Sequence, residues 1–161
     1  INQVIILGGV FGQKGNITSV AEFNVFNDPL ALSIVLNCNI KKTIIPINIC
    51  RQVTFTLDEF NQLIDPNISN SFKKITNSYI SYYQSNPKYG GFNGGVMYDL
   101  LAVSYFINPN LFKTKNKFIL VKSNGQTIIK SKKNNNCQLV TQVNPSNIKK
   151  LFFNSVNNKF N

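Results

Sequence analysis

The chain has 161 residues, three cysteines and no histidine, and its 17 basic residues outnumber its six acidic residues to give a net charge of +11. Its length suits one folded domain with a hydrophobic core, and the lack of histidine excludes the Ser-His and Cys-His pairs of nucleophilic catalysis. The odd, widely spaced cysteines exclude a disulfide framework and a zinc knuckle, and no apolar run reaches the roughly 18 residues of a membrane-spanning helix.

The basic residues are concentrated toward the C-terminus. All six acidic residues lie at or before Asp99, whereas ten of the 17 basic residues follow it. A basic tail can bind nucleic acid or an anionic membrane through counterion release. However, lysine and asparagine are abundant throughout the chain, and the tail lacks the interleaved arginine and aromatic residues of RNA-binding segments. We therefore interpret the positive charge as a general bias of composition, and we expect no nucleic-acid or membrane partner.

The first predicted element is a buried parallel strand over Gln3 to Leu7, which is almost entirely apolar and ends at two glycines. Ligands of α/β proteins bind beyond the carboxyl ends of such strands. The segment from Gly8 to Pro29 then presents carboxamide and carboxylate groups in an apolar frame, which predicts a pocket for the hydroxyl groups of a sugar. The alternative is a loop whose polar side chains only satisfy its own backbone. The residues on which this prediction rests are Asn16, Glu22, Asn24 and Asp28.

A helix is predicted to begin at Asp28-Pro29, because aspartate is a good N-cap and proline suits the first helical position. Its predicted apolar face includes Cys38, which we expect to be a buried free thiol. The other members of this face are Leu30, Ala31, Ile34 and Val35.

The central part of the chain is predicted to contain one strand and two helices. The apolar run from Thr43 to Ile49 predicts a second buried strand, which Pro46 would distort or place near a sheet edge. Thr56 and Glu59 have the spacing of a capping box and predict a helix start. A further helix is predicted over Ser71 to Gln84 from its apolar periodicity.

A glycine-rich loop over 86–95 leads to Tyr98 and Asp99, at the front of a helix that we predict to end at Ile107. Phe118 to Val121 and Gln126 to Ile129 predict a hairpin at a sheet edge, turning at Asn124-Gly125. An amphipathic helix is predicted over 145–156. Strands that alternate with helices favour an α/β fold.

Several short motifs resemble the inosine/uridine-preferring nucleoside hydrolase family. They are LGG at 7–9, GN at 15–16, AEFN at 21–24 and DP at 28–29, followed by YDLLAVSYFINPNLF at 98–112 and GQTII at 125–129. The resemblance covers most of the chain. It implies a Rossmann-like α/β fold, with a mostly parallel sheet flanked by helices and a C-terminal β-hairpin, in which residues 1–161 form the C-terminal portion of a single domain.

The resemblance also implies an activity and a set of site residues. Members of the family hydrolyse the N-glycosidic bond of purine and pyrimidine ribonucleosides, in nucleoside salvage, with water held by Ca²⁺. By resemblance, Asn16 and Glu22 would bind the 5′-hydroxyl side of the ribose and Asn24 its 2′-hydroxyl side. Phe23 would pack nearby, and Asp99 would bind both Ca²⁺ and the ribose.

Two departures from the family pattern bear on catalysis. Tyr98 stands where many members have a histidine that protonates the leaving base; a tyrosine can donate a proton, although an aromatic packing role is the simpler interpretation. The chain also lacks the Asp-rich strand end that supplies most calcium ligands of the family. Ca²⁺ takes six to eight oxygen ligands, so Asp99 alone is not enough. We therefore predict that this chain does not hydrolyse nucleosides by itself.

Three functional hypotheses remain open from the sequence. The first is a nucleoside hydrolase in fragment form, cytoplasmic because no secretory signal is evident, whose full-length form could be a homo-oligomer. The second is a non-catalytic remnant or partner-binding module of the same fold. The third is a basic nucleic-acid-binding domain.

Overall fold

The computed structural model describes residues 1–64, 70–86, 92–131 and 134–158. Within these ranges, no helix is long and apolar enough to cross a membrane. A short 3₁₀ turn at Pro109–Leu111 follows the sixth helix. The helices and strands, in chain order, are β1 (Gln3–Leu7), α1 (Phe23–Asn27), α2 (Pro29–Asn37), β2 (Lys41–Ile45), α3 (Ile47–Cys50), β3 (Thr54–Phe55), α4 (Leu57–Leu63), α5 (Asn70–Ser85), β4 (Gly95–Val96), α6 (Tyr98–Ile107), β5 (Phe112–Val121), β6 (Thr127–Lys130), β7 (Cys137–Val143) and α7 (Pro145–Asn158).

A five-stranded mixed sheet, ordered β1-β2-β7-β5-β6, belongs to a compact unit formed by Ile1–Cys50 and Tyr98–Val143. The β1–β2 and β2–β7 pairs are parallel, whereas β5 is antiparallel to both β7 and β6. In this sheet, β5 is therefore antiparallel to the other four strands. This arrangement confirms the predicted α/β class, the mostly parallel sheet and the hairpin.

Helices cover both faces of this sheet. On one face, α2 inserts Leu32 and Leu36 into a core cluster that also contains Ile44 of β2. Thr43 points to the opposite face, because successive side chains alternate along a strand. There its hydroxyl lies 3.5 Å from the hydroxyl of Tyr105 in α6. The sheet is thus covered on both sides, as in other α/β folds.

The second compact unit consists of the described residues of Arg51–Met97 and Asn144–Asn161. Its core is aromatic: the ring centroid of Phe55 lies 5.2 Å from that of Phe152 and 5.9 Å from that of Phe153. The predicted capping box is present, since Thr56 and Glu59 each accept a hydrogen bond from the other's backbone amide. The helix predicted from residue 71 is also confirmed as α5.

The structure corrects the predictions for the first two strands. β1 is an edge strand whose residues are all half-buried, because it pairs on one side only. β2 ends at Ile45 and lies inside the sheet between β1 and β7. The predicted extent of the strand to Ile49 is therefore wrong, and of the two predicted alternatives, distortion or an edge position, the edge position is wrong. Pro46 separates β2 from α3, a position where its missing amide costs no ladder hydrogen bond.

The predicted apolar face of α2 is also wrong. Leu30 and Ile34 are 69% and 56% exposed, and the helix instead buries Leu32 and Leu36. Cys38 follows the helix as its C-cap residue and is exposed, so it is not the buried thiol predicted. The buried free thiols are those of Cys50 and Cys137.

The remaining comparisons between prediction and structure concern β7, the hairpin, the last helix and the glycine-rich loop. β7 was not predicted, although it is central and pairs with β2 and β5. The hairpin is confirmed with β6 at the sheet edge, and α7 confirms the last predicted helix. Residues 87–91 of the glycine-rich loop lie outside the described residues.

Candidate functional site

The chain turns sharply at the carboxyl end of β1. The amide of Gly8 donates to the carbonyl of Ile45, and the carbonyl of Gly9 accepts from the amide of Ile47. Gly9 has φ +79°, a conformation that side-chain-bearing residues rarely adopt. This turn holds the backbone of residues 8–10 inside the protein, next to the end of β2.

Glu22 joins this turn to helix α1. Its side chain is buried, with 2% exposed, and one oxygen, Oε2, accepts from the amides of Gly9 at 3.0 Å and Val25 at 3.2 Å. The other oxygen, Oε1, accepts from the amide of Asn24 at 2.8 Å. A carboxylate has about four lone-pair positions, so these three bonds use most of its capacity. Glu22 is therefore the N-cap of α1 and the link between α1 and the turn after β1; its predicted contact with a ribose hydroxyl stays a prediction.

Asn16 and Asn24 each use one polar atom of the carboxamide in a hydrogen bond within the protein and leave the other available for a ligand. Asn16 Oδ1 accepts from the amide of Phe23 at 2.8 Å, and Asn24 Nδ2 donates to the carbonyl of Leu7 at 3.2 Å. Among the residues that the structure describes, nothing pairs with Asn16 Nδ2 or Asn24 Oδ1. One asparagine thus offers a donor and the other an acceptor, the pair of functions that a sugar hydroxyl needs.

Phe23 lies between these asparagines in sequence and is 49% exposed. Its backbone amide is held by Asn16, as described above, while its ring is accessible for packing. In the AEFN segment, the buried glutamate therefore fixes the backbone, and the two residues after it, Phe23 and Asn24, are exposed.

Tyr98 and Asp99 reach the same end of the sheet from another part of the chain. They form the first turn of α6, a helix that packs against β1, and the carbonyl of Tyr98 lies 3.9 Å from Cys50 Sγ in α3. Asp99 is exposed and Tyr98 half-buried. An acidic residue in a first helical turn is favourable in itself, because the helix dipole is positive there. The predicted roles of both residues in metal binding and proton transfer remain predictions.

The tip of the β5–β6 hairpin supports this site and was missed as a functional element. Thr127 Oγ1 accepts from the amide of Val10 at 3.2 Å and donates to the carbonyl of Val10 at 3.0 Å. Gln126 forms a bridge with Ala21, just before Glu22. The available sequence signal was the GQTII motif, whose resemblance pointed to a hairpin but not to a role for its threonine.

The described residues do not by themselves fit a calcium ion. No group of three or more His, Cys, Asp or Glu side chains among them could hold a metal. The carboxylate of Glu22 accepts hydrogen bonds from backbone amides. Among the described residues at this end of the sheet, Asp99 is therefore the acidic side chain that remains available to bind a metal ion. One carboxylate falls far short of the six to eight oxygen ligands of Ca²⁺.

Comparisons with known proteins agree with the fold and the motifs. Residues 1–150 match the family model described as inosine-uridine preferring nucleoside hydrolase. The chain is 31% identical over 126 residues to the non-specific ribonucleoside hydrolase RihC of Escherichia coli (strain K12 / DH10B), an alignment that covers 78% of this chain and 39% of RihC. The RihC of Escherichia fergusonii is 30% identical over 126 residues, and the alignment again covers 78% of this chain and 39% of RihC.

Two solved structures share the fold. A purine-preferring ribonucleoside hydrolase from Gardnerella vaginalis superposes with a TM-score of 0.87 and 22% identity, over 97% of this chain and 52% of that one. A plant nucleoside hydrolase, the PpNRh1 enzyme, superposes with a TM-score of 0.84 and 20% identity, over 96% of this chain and 53% of that one. The chain thus spans about half the length of these structures and 39% of the curated relatives. On the family match over residues 1–150, the chain belongs to the inosine-uridine preferring nucleoside hydrolase family.

Proposed function

We propose that this chain contributes the ribose-binding part of a ribonucleoside hydrolase site, and that hydrolysis of the N-glycosidic bond needs further polypeptide. The observation that carries the proposal is the pair of available carboxamide groups on Asn16 and Asn24. Asn24 is held at the carboxyl end of β1 by Glu22 and the carbonyl of Leu7, and Asn16 is held by the amide of Phe23 at the start of α1. A donor and an acceptor fixed on a rigid backbone suit the vicinal hydroxyls of a ribose.

The individual roles follow the family pattern at the matching positions. Asn16 and the remaining lone pair of Glu22 face the 5′-hydroxyl side, Asn24 faces the 2′-hydroxyl side, and the exposed ring of Phe23 packs on the sugar. Asp99 would bind the ribose and would supply one oxygen to a calcium ion whose other ligands come from further polypeptide. Bound calcium would supply an activated water for attack on the ribosyl carbon, and Tyr98 would give a proton to the departing base.

Further polypeptide is needed because the described residues contain no group of three or more His, Cys, Asp or Glu side chains that could hold a metal ion. Two structural features support this part of the proposal. β1 lies at the edge of the sheet, and along one side of it no described strand pairs with its backbone groups. The helices on both faces beside it expose large apolar side chains, such as Leu30 of α2 and Phe106 of α6, which are 69% and 79% exposed.

The same edge favours a second candidate, a non-catalytic module that binds another polypeptide. A cavity of about 270 Å³ lies between β1 and α2, and its lining is mostly apolar. Exposed apolar surface beside the open edge of a strand is typical of an interface. The two candidates differ in one respect: in the hydrolase, the added polypeptide brings acidic residues that complete the calcium site.

An assay of base release tests the proposal. The purified chain is incubated with inosine or uridine and Ca²⁺, and free hypoxanthine or uracil is measured. We expect no turnover, together with binding of D-ribose that calorimetry detects. Clear turnover would contradict the need for further polypeptide, and a lack of ribose binding would contradict the ribose site itself.

A further inference from the structure

The hairpin tip contacts the candidate site at three separate points. Thr127 pairs with Val10, Gln126 bridges to Ala21, and Gly125 lies against the backbone of Phe26. Val10 belongs to the turn after β1, whereas Phe26 belongs to α1. The hairpin therefore contacts both segments that Glu22 joins.

The contact between Thr127 and Val10 is the strongest of the three in hydrogen-bonding terms. One hydroxyl accepts from the amide and donates to the carbonyl of the same residue, 117 positions away. Val10 is buried, and Thr127 is only 6% exposed. Buried backbone groups need partners, so this single side chain satisfies both polar groups of Val10 where no strand or helix does so.

Thr127 also reaches Gly9, whose amide donates to Glu22. A Cβ atom on Gly9 would lie 3.2 Å from Thr127 Oγ1 and 3.3 Å from its Cγ2, so the threonine packs closely on this glycine. The turn has no side chain of its own at Gly8 or Gly9 to anchor it. Backbone hydrogen bonds to Ile45 and Ile47 fix the turn against the end of β2. The side chains that hold it are those of Glu22, at Gly9, and Thr127, at Val10.

We propose that Thr127 is a positioning residue of the ribose site: its hydroxyl holds the turn at residues 8–10 and, through Gly9 and Glu22, the carboxamide of Asn24. The effect on ribose binding rests on the proposed function. The role of Thr127 in holding the turn rests only on the contacts described above. It predicts that removing the hydroxyl loosens the turn and weakens ribose binding, although Thr127 itself does not contact the sugar.

The test compares three variants of the full chain. Thr127→Val keeps the shape but removes the hydroxyl, and Thr127→Ser restores it. Thr141→Val is a matched control, because Thr141 Oγ1 also donates to a backbone carbonyl, that of Lys113 at 3.2 Å, in the β5–β7 pairing. Amide hydrogen exchange of Val10 and affinity for D-ribose are measured for each variant, with circular dichroism to check folding.

We expect Thr127→Val to exchange the Val10 amide faster and to bind ribose about tenfold more weakly, a change that corresponds to the loss of one well-formed hydrogen-bonded contact. Thr127→Ser should restore both properties, and Thr141→Val should match the wild type in both. Wild-type exchange at Val10 in Thr127→Val would overturn the inference, as would wild-type ribose affinity in that variant. Failure of the wild type to bind ribose would instead count against the proposed function, and the exchange data would still decide the role of Thr127 in holding the turn.

Discussion

The carboxylate of Glu22 accepts a hydrogen bond of 3.0 Å from the backbone amide of Gly9, thirteen residues earlier in the chain. This contact ties the start of α1 to the end of β1. It explains why an acidic residue is almost fully buried without a cationic partner among the residues that the structure describes. Backbone amides can stabilise a buried carboxylate when several converge on it. Here three do so.

The first prediction compares two N-cap residues. Glu22→Ala leaves the buried amides of Gly9 and Val25 without their acceptor, and each such loss costs about 1–3 kcal/mol. Asp28→Ala removes an exposed cap that accepts from Ala31 at 2.8 Å, which costs about 1 kcal/mol. We expect urea denaturation to give a clearly larger loss for Glu22→Ala. Equal losses would show that the buried network contributes no more than an exposed cap.

The second prediction concerns two glycines with positive φ. Gly125 has φ +79°, and a Cβ there would lie 2.8 Å from Phe26 Cα, whereas Gly12 has φ +69° and nothing within 4 Å of such a Cβ. Both Gly→Ala changes incur the cost of the left-handed backbone, about 1–2 kcal/mol. Gly125→Ala should cost more in thermal unfolding because it also pushes the hairpin tip away from α1. If Gly12→Ala proves equally destabilising, the hairpin contact is not tight.

The third prediction concerns thiol reactivity. Burial raises the pKa of Cys137 to about 11, with Lys42 acting weakly in the opposite direction. A raised pKa keeps the group as an unreactive thiol at pH 8, since only the thiolate is nucleophilic. Cys38 is exposed, while Cys50 is buried. Iodoacetamide at pH 8 should therefore modify Cys38 first, and peptide mass spectrometry would identify the site; Cys137 should react only after urea is added. Early modification of Cys137 in native protein would contradict its burial in the core.

Local signals in the sequence predicted local structure well. Asp28 caps α2 and Thr56 with Glu59 forms a capping box, because each depends on residues within one helical turn. Asn124-Gly125 marks the hairpin for the same reason: Gly125 adopts the positive φ that the turn requires.

Features that depend on distant partners were harder to predict. The apolar pattern of α2 fits either of two overlapping stripes, and only the position of the sheet selects Leu32 and Leu36 for burial. β7 mixes polar and apolar residues, and its central place comes from pairing with β2 and β5 on both sides. Thr127 could not be assigned a role from its motif, because its partner Val10 lies 117 residues away.

The sequence predicted a set of candidate site residues, whose contacts with a ligand stay predictions, but it could not predict their geometry. Its members in the AEFN segment do gather at the end of β1, yet Glu22 faces the backbone while Asn16 and Asn24 retain available groups. A carboxylate that accepts from backbone amides and one that is exposed to a ligand give the same sequence pattern.

The most direct test of this account is a titration of the ¹⁵N-labelled chain with D-ribose and, separately, with 2-deoxy-D-ribose, followed by NMR. The account predicts that ribose shifts the side-chain amide signals of Asn16 and Asn24, and that 2-deoxyribose shifts the Asn24 signal much less because it lacks the 2-hydroxyl. Identical shifts with both sugars, or ribose-induced shifts confined to residues far from the end of β1, would contradict it.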